Sequence, residues 1–326
     1  MENCMKCRIR LVGYALVCAA VLPAPGALAQ AWPVKSVRVI VPFAPGGGSD
    51  LTARPVSAKL SELLGQQFVI DNRGGAGGAI GMELTAKAPP DGYTVMSISG
   101  SFSATSVTHK LPFDSFDAFI PVIELGYAAN VLVVHPALPV KSTKELVALA
   151  RAKPNTLVFA SSGIGGNTHL STELFLSMAG IKMIHVPYKS TGIAMPELMA
   201  GQTQVMVAGL LGSRPFFTVG RLRALAVTSI QRWPSLPELP TVAEAVPGYE
   251  TGTYYGMFFP KGTPQAIVTR LNSEANKALQ DASVKNLFET QGMVATGGPS
   301  AALAKRARKE YDEWVRVVRE SKLKIE

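Results

Sequence analysis

Three glycine-rich loops, each set between a β-branched run and a helical stretch, constrain this chain more than any other feature. The first is Phe43-Ala44-Pro45-Gly46-Gly47-Gly48-Ser49-Asp50 and the second is Arg73-Gly74-Gly75-Ala76-Gly77-Gly78. The third is Ser161-Ser162-Gly163-Ile164-Gly165-Gly166-Asn167-Thr168-His169. Glycine lets the backbone take positive φ and come close to a ligand or another backbone. A helix start leaves amide N–H groups unpaired and carries partial positive charge. Together they make an anion site that needs no basic side chain. A tight turn needing glycine for geometry alone is the competing reading. The first and third loops occupy equivalent places in two halves of the chain, which favours a site. The second reads as a close-packing segment.

The pattern around these loops alternates. Residues 37–41 read as a buried strand, and 51–64 as a helix with an apolar stripe at Leu51, Val56, Leu60, Leu63 and Leu64. Strands follow at 68–70 and 94–98, with a helix over 80–88 between them that stops before Pro89-Pro90. The alternation restarts with a strand at 130–134, a helix at 143–152, a strand at 157–160 and a helix at 170–179. Further strands read at 184–186, 205–207, 222–227 and 254–259, and helices at 265–278 and 300–319 close the chain. Such alternation predicts an α/β fold with a mostly parallel sheet covered on both faces. Its repetition predicts two similar domains with a cleft between them.

The first 29 residues read as an address. Lys6, Arg8 and Arg10 precede an apolar run of a dozen residues, 11–22, which Pro23, Pro25 and Gly26 break before the small residues Ala27-Leu28-Ala29. That is a secretory signal peptide with its three regions in order. The run is shorter than the ~20 residues of a membrane-spanning helix. Cleavage after Ala29, with Ala31 as the near alternative, removes three basic residues and Glu2. The net charge then goes from +9 to +7 over 297 residues. All three cysteines, Cys4, Cys7 and Cys18, leave with the segment, so no disulfide, thiolate nucleophile or sulfur-bound metal is expected. Val17 before Cys18 argues against a lipoprotein signal. The densest basic stretch, 305–309, is mixed with Glu310, Asp312 and Glu313; it reads as a solvated helix face, not a nucleic-acid surface.

Known catalytic fingerprints fail on inspection. Gly46-Gly47-Gly48 is followed by Leu51, and Gly163-Ile164-Gly165 by Thr168, where a dinucleotide fingerprint needs a small third residue. No loop ends in Gly-Lys-Ser/Thr, and no Gly-x-Ser-x-Gly elbow or His-Glu-x-x-His occurs. His169 and Glu173 have helical ligand spacing but lack a third group. No metal and no cofactor is expected. The serines Ser99, Ser101 and Ser103 follow a strand and are candidate hydrogen-bonding contacts.

The chain resembles the Bug-type periplasmic solute receptors, the extracytoplasmic binding components associated with tripartite tricarboxylate transporters. The residues that carry the resemblance run from Trp32-Pro33 through Val41-Pro42-Phe43-Ala44-Pro45-Gly46-Gly47 and Asp50, Asp71-Asn72-Arg73, and Pro90-Asp91-Gly92-Tyr93-Thr94. They continue through His169-Leu170, Glu173-Leu174-Phe175, Val186-Pro187-Tyr188-Lys189, Leu239-Pro240-Thr241, Pro247-Gly248 and Gly262-Thr263-Pro264. The resemblance implies a two-domain Venus-flytrap fold with two crossovers, the closing helices returning to the first domain. Domain 1 would comprise 30–130 and 254–326, and domain 2 131–253.

It also implies a monomeric, non-enzymatic periplasmic receptor that binds a small carboxylate and delivers it to a membrane permease. Backbone amides, hydroxyls and water would hold the ligand. The contacts expected are Phe43, Ala44, Gly46, Gly47, Gly48, Ser49 and Asp50 from the first loop, with Ser99, Ser101 and Ser103. From the second half they are Ser161, Gly163, Gly165, Asn167, Thr168, His169, Tyr188 and Ala208. Asp50 is expected chiefly to accept backbone N–H bonds as a helix N-cap. Two departures concern the ligand, Ser190 where glycine is usual and Ala208-Gly209 where an Asp or Asn is common; Tyr254 or Tyr255 also stands where a Trp is common. The missing acid points to a ligand without an α-amino group. A receptor signalling to a sensor would have the same sequence features. An enzyme on this fold would need an acid–base or nucleophilic constellation that the sequence does not supply.

Overall fold

Val37, Val39, Ile40 and Val41 are fully buried, and this apolar run forms the first strand of a computed structural model that describes residues 32–320. The signal segment, both candidate cleavage positions and the three cysteines lie outside the described residues. The chain from Lys35 onward is one unit, described here.

Its first elements are β1 (Val37–Val41), α1 (Gly48–Leu64), β2 (Phe68–Asn72), α2 (Ala79–Ala86), β3 (Thr94–Ser99), α3 (Ser101–Thr108), α4 (Ser115–Ala118) and β4 (Phe119–Val134). Next come α5 (Thr143–Ala152), β5 (Val158–Ser161), α6 (Asn167–Ala179), β6 (Ile184–Pro187), α7 (Thr191–Met199), β7 (Val205–Gly209), α8 (Leu210–Thr218) and β8 (Arg223–Val227). Then follow β9 (Gly252–Pro260), α9 (Gln265–Gln280), α10 (Ala282–Thr290), β10 (Val294–Ala295) and α11 (Ser300–Glu320).

The sheet order is β2-β1-β3-β9-β4-β7-β5-β6, with β8 and β10 also paired to β4. The expectation of a mostly parallel sheet needs correction. The wings are parallel, β1 with β2 and β3, and β5 with β6 and β7. The centre is antiparallel, because β4 and β9 run between the halves and back. Along β4, residues 119–129 pair with β9, whereas 130–134 pair with β7 and β8. One strand thus carries the chain from one half to the other.

Each half has its own core. Met82, Met96, Ile98, Phe102, Phe258 and Leu303 fill the first, and Phe102 stacks on Phe258 at 4.4 Å between centroids. Leu303 lies on α11, so the last helix packs on the first half. Leu132, Phe159, Phe175, Val207 and Tyr249 fill the second. Tyr249 is sealed from solvent, meets Phe175 edge-on and donates its hydroxyl hydrogen bond to the Ser171 carbonyl at 2.9 Å. Burying such a side chain contributes about 2–3 kcal/mol, provided its polar tip is paired.

Local chemistry sets the helix starts. Ser142 Oγ accepts the Glu145 N–H (3.2 Å) and Glu145 Oε2 accepts the Lys141 N–H (2.7 Å), which starts α5 beside its buried face of Leu146, Val147 and Ala150. By contrast α1 and α6 start after Gly47 and Gly166, which have no side chain to cap with. The first amide of α6, at Asn167, is taken by Ser101 Oγ of α3.

Candidate functional site

The starts of five helices converge on one narrow cleft of about 40 Å³ between the halves. Gly47, Gly48 and Ser49 at the start of α1 line it, as do Ser101 of α3, Asn167 and Thr168 of α6, Thr191 of α7 and Gly209 before α8. Phe43, Ser99, Asn130, Ser162, Thr253 and Tyr255 complete the wall. No charged side chain among the described residues lines it. Each helix start brings roughly half a positive charge, concentrated in its first turn. The site is therefore electropositive without a lysine or arginine, a suitable seat for an anion.

Hydrogen bonds hold the wall. The Asn167 N–H donates to Ser101 Oγ (3.1 Å), tying α6 to α3 across the cleft. Thr168 Oγ1 accepts from the Ser162 N–H at 2.8 Å. Asp50 is buried and committed: it accepts from the Gly46 N–H (3.0 Å), from Arg54 Nε and Nη2 (both 2.8 Å) and from Asn72 Nδ2 (3.0 Å). Burial alone would raise its pKa, but these donors outweigh it and hold the carboxyl below its usual range. Gly47, not Asp50, is the N-cap; Asp50 sits one turn in and reaches back to Gly46, whose φ of +80° suits glycine.

Of the residues expected from sequence, Phe43, Gly47, Gly48, Ser49, Ser99, Ser101, Asn167 and Thr168 stand in the cleft wall. The others lie behind it or beside it. The Ala44 N–H donates to the Lys189 carbonyl at 3.3 Å, and Gly46 packs on Gly192. Ser103 lies in the first core, donating to the Ala307 carbonyl (2.8 Å) with the Tyr254 hydroxyl at 3.0 Å. Helix α3 starts at Ser101, so two residues later the side chain has turned to the opposite face. Ser161 Oγ lies 2.6 Å from His185 Nε2. Gly163 packs on Gly77, and Gly165 on Thr108 and His109. His169 Nδ1 accepts the Gly165 N–H (3.0 Å), and its ring stacks on His185. The Tyr188 N–H donates to the Ser161 carbonyl, and Ala208 is enclosed in β7.

Asn130, Ser162, Thr191, Gly209, Thr253 and Tyr255 were not among the expected contacts. Ser162 belongs to the third loop, and Gly209 and Tyr255 adjoin or occupy the positions of departure, so a signal existed for these. Asn130 reads in sequence only as the start of a strand.

The second loop forms a seam with the third. A Cβ on Gly77 would overlap the Ile164 carbonyl oxygen and lie 2.9 Å from the Gly166 nitrogen. A Cβ on Gly192 would overlap the Pro45 carbonyl oxygen and lie 3.0 Å from Gly46 Cα. The halves meet there backbone to backbone.

A larger cavity, about 390 Å³, lies between α11 and α6. Arg306, Lys309, Glu310 and Glu313 line it, so both signs of charge face it and no helix start does. Glu310 is half-buried as a residue, yet its Oε2 is shielded from solvent and has no hydrogen-bond partner among the described residues. Burial pushes its carboxyl up to about 8; Arg306 opposes this, while Glu313 and Glu124 add to it. The folded protein therefore keeps a proton that the unfolded chain, near 4.5, releases. Stability from this group is fully present below pH 4.5 and is lost as pH rises toward 8. Glu310→Gln should accordingly gain steadily on its parent as pH rises from 4.5 to 8. Urea unfolding of both proteins at pH 5, 7 and 8.5 measures the difference, and a constant difference would refute it.

Residues 52–323 match the model of the "tripartite tricarboxylate transporter family receptor" family. Among solved structures, the chain is similar to the R. palustris protein Rpa4515 with adipate: 38% identity, TM-score 0.86, covering 89% of this chain and 98% of that one. It is also similar to MatC from Rhodopseudomonas palustris with bound malate, at 30% identity and TM-score 0.85, covering 88% and 100%. The periplasmic binding protein BugD is 29% identical with a TM-score of 0.86, covering 90% and 99%. Among the described residues no helix is long and apolar enough to cross a membrane. With this match over most of its length and the shared two-domain fold, the chain belongs to the tripartite tricarboxylate transporter receptors, as a solute-binding protein of the Bug type.

Proposed function

We propose that this protein captures a small carboxylate in the cleft between its halves and hands it to a membrane permease of the tripartite tricarboxylate type. The observation that carries this reading is the convergence of five helix starts on a wall without charged side chains. The adipate and malate bound by the two R. palustris proteins are of the same chemical class. The signal segment read from the sequence supports delivery to the periplasm, where we propose that the receptor works as a monomer. Domain 1 comprises 30–130 and 254–326, and domain 2 131–253; the change of strand partners at residue 130 of β4 supports that division.

The ligand lacks an α-amino group. A buried ammonium needs a carboxylate or several oxygens around it. Asp50 is spent on Arg54 and Asn72, and β7 ends in Ala208 and Gly209 without an acid. Five positive helix ends also repel a cation.

Thermal unfolding in the presence of succinate, glutarate and adipate, with aspartate, glutamate and neutral sugars as controls, tests the reading. At 100-fold excess over Kd, a carboxylate that binds should stabilise by about 2.7 kcal/mol. Stabilisation by sugars and by no carboxylate would overturn it. Tighter binding of aspartate than of succinate would overturn the part concerning the amino group.

A further inference from the structure

Asn130 is fully buried in the cleft wall, and its Oδ1 has no hydrogen-bond partner among the described residues. A buried acceptor left unpaired is destabilising unless something donates to it.

The orientation of its amide is set by a relay. Asn167 Nδ2 donates to the Gly252 carbonyl (3.1 Å), which turns Asn167 Oδ1 toward Asn130. Asn130 Nδ2 then donates to Asn167 Oδ1 (3.2 Å) and reaches Ser171 Oγ at 3.4 Å. Flipping Asn130 would set two carbonyl oxygens against each other, so Oδ1 faces the other way. On that side is Gly209: a Cβ there would lie 3.9 Å from Oδ1 and 3.1 Å from the Tyr255 hydroxyl. The backbone cannot shift to relieve the acceptor. The Asn130 N–H donates to Thr228 Oγ1 (2.9 Å), and its carbonyl accepts from the Thr228 N–H (2.9 Å).

From this we infer that the ligand is a hydroxy acid, whose hydroxyl donates to Asn130 Oδ1 while its carboxylate faces the helix starts. The inference rests on the carboxylate reading above and names the subclass. An ammonium could also donate, but one neutral oxygen among five positive helix ends does not compensate a buried cation. A hydroxyl brings a donor without charge. The cleft is narrow, so an acid seated on the helix starts has its carbon chain beside Asn130. A site built to hydrogen-bond a hydroxyl rejects the analogue that lacks it, because its own polar group is then left unpaired.

The test is calorimetric titration with matched pairs: succinate against both enantiomers of malate, glutarate against 2-hydroxyglutarate, and adipate against 2-hydroxyadipate. For the chain length that binds, one hydroxy acid should bind at least 10-fold tighter than its parent. In Asn130→Leu this preference should fall to about 2-fold or less. Asn130→Ser, which keeps an acceptor, should retain part of it; because it is read as a ratio between two acids, a general weakening of the site leaves the result interpretable. Equal affinity of hydroxy and parent acids in the natural protein overturns this inference and leaves the carboxylate reading intact. Failure of every acid to bind overturns both. A preference that survives Asn130→Leu assigns the hydroxyl to another residue and overturns the role of Asn130.

Discussion

Gly48→Ala should weaken carboxylate binding at least 100-fold, equivalent to about 2.7 kcal/mol. Gly48 is the first residue of α1, where alanine is intrinsically the better helix former. The loss therefore arises from space alone. A methyl group at Gly48 would overlap the Tyr255 hydroxyl, with ring atoms Cε1 and Cζ at 3.0 Å. Tyr255 is buried on β9, paired with Ser99 and Gly126, and cannot retreat into the core. Its ring must swing into the cleft, or the start of α1 must withdraw; either change removes amides from the anion. The double variant with Tyr255→Phe should recover part of the affinity, since the overlapping oxygen is gone. Titration calorimetry on the single and double variants checks this, and an unchanged Kd in Gly48→Ala would refute it.

His185→Phe should gain roughly 3 kcal/mol of stability relative to its parent as pH falls from 7 to 4, at about 1.4 kcal/mol per pH unit below 6.5. Phe159, His185 and His169 form a parallel stack, with centroids 4.7 Å and 4.1 Å apart. Burial first, then the neighbouring His169, lowers the His185 pKa to about 3. Burial and then His109 lower that of His169 to about 4. Glu173, 3.8 Å from His169, does not restore the charge, because burial raises its own pKa. The unfolded chain takes up these protons near pH 6.5 and the folded protein does not. Stability from the pair is thus present above 6.5 and is lost as pH falls through the folded values. Phenylalanine keeps the stack and does not titrate. At pH 7 it forfeits the Ser161 hydrogen bond, a cost of about 1 kcal/mol. Glu310 works in the opposite sense between pH 4.5 and 8, so it offsets part of the histidine slope below 6.5 and lowers the parent's stability above it. Comparison of each variant with its parent separates the two slopes, and parallel urea-stability profiles for His185→Phe and its parent would exclude the histidine effect.

The loops that start α1 and α6 were legible because glycine, a β-branched run and a helical stripe come together in the chain. What stayed hidden was tertiary. Residues 119–129 contain Pro121, Glu124 and Gly126 and show no clean alternation, yet they form eleven of the sixteen residues of β4. Their pairing with β9 substitutes for local propensity. Helix α3 was concealed by Ser101, Ser103 and Ser106, poor helix formers whose hydroxyls are satisfied only after folding, Ser103 by Ala307 and Ser106 by Phe102. Asn130 carries no local signal, because its role depends on Asn167 and Gly252, 37 and 122 positions away in the chain.

The seam of Gly77 against Gly163 and Gly166, and of Gly46 against Gly192, has a thermodynamic consequence. Bare backbone brings little apolar area, and at ~25 cal/mol per Å² the seam itself contributes little to holding the halves together. The apolar contact between the halves lies elsewhere, where Ala104 of α3, Leu170 of α6 and Trp314 of α11 share a buried cluster. The glycine edge thus allows close approach without side chains that must disengage, while the apolar edge supplies the adhesion.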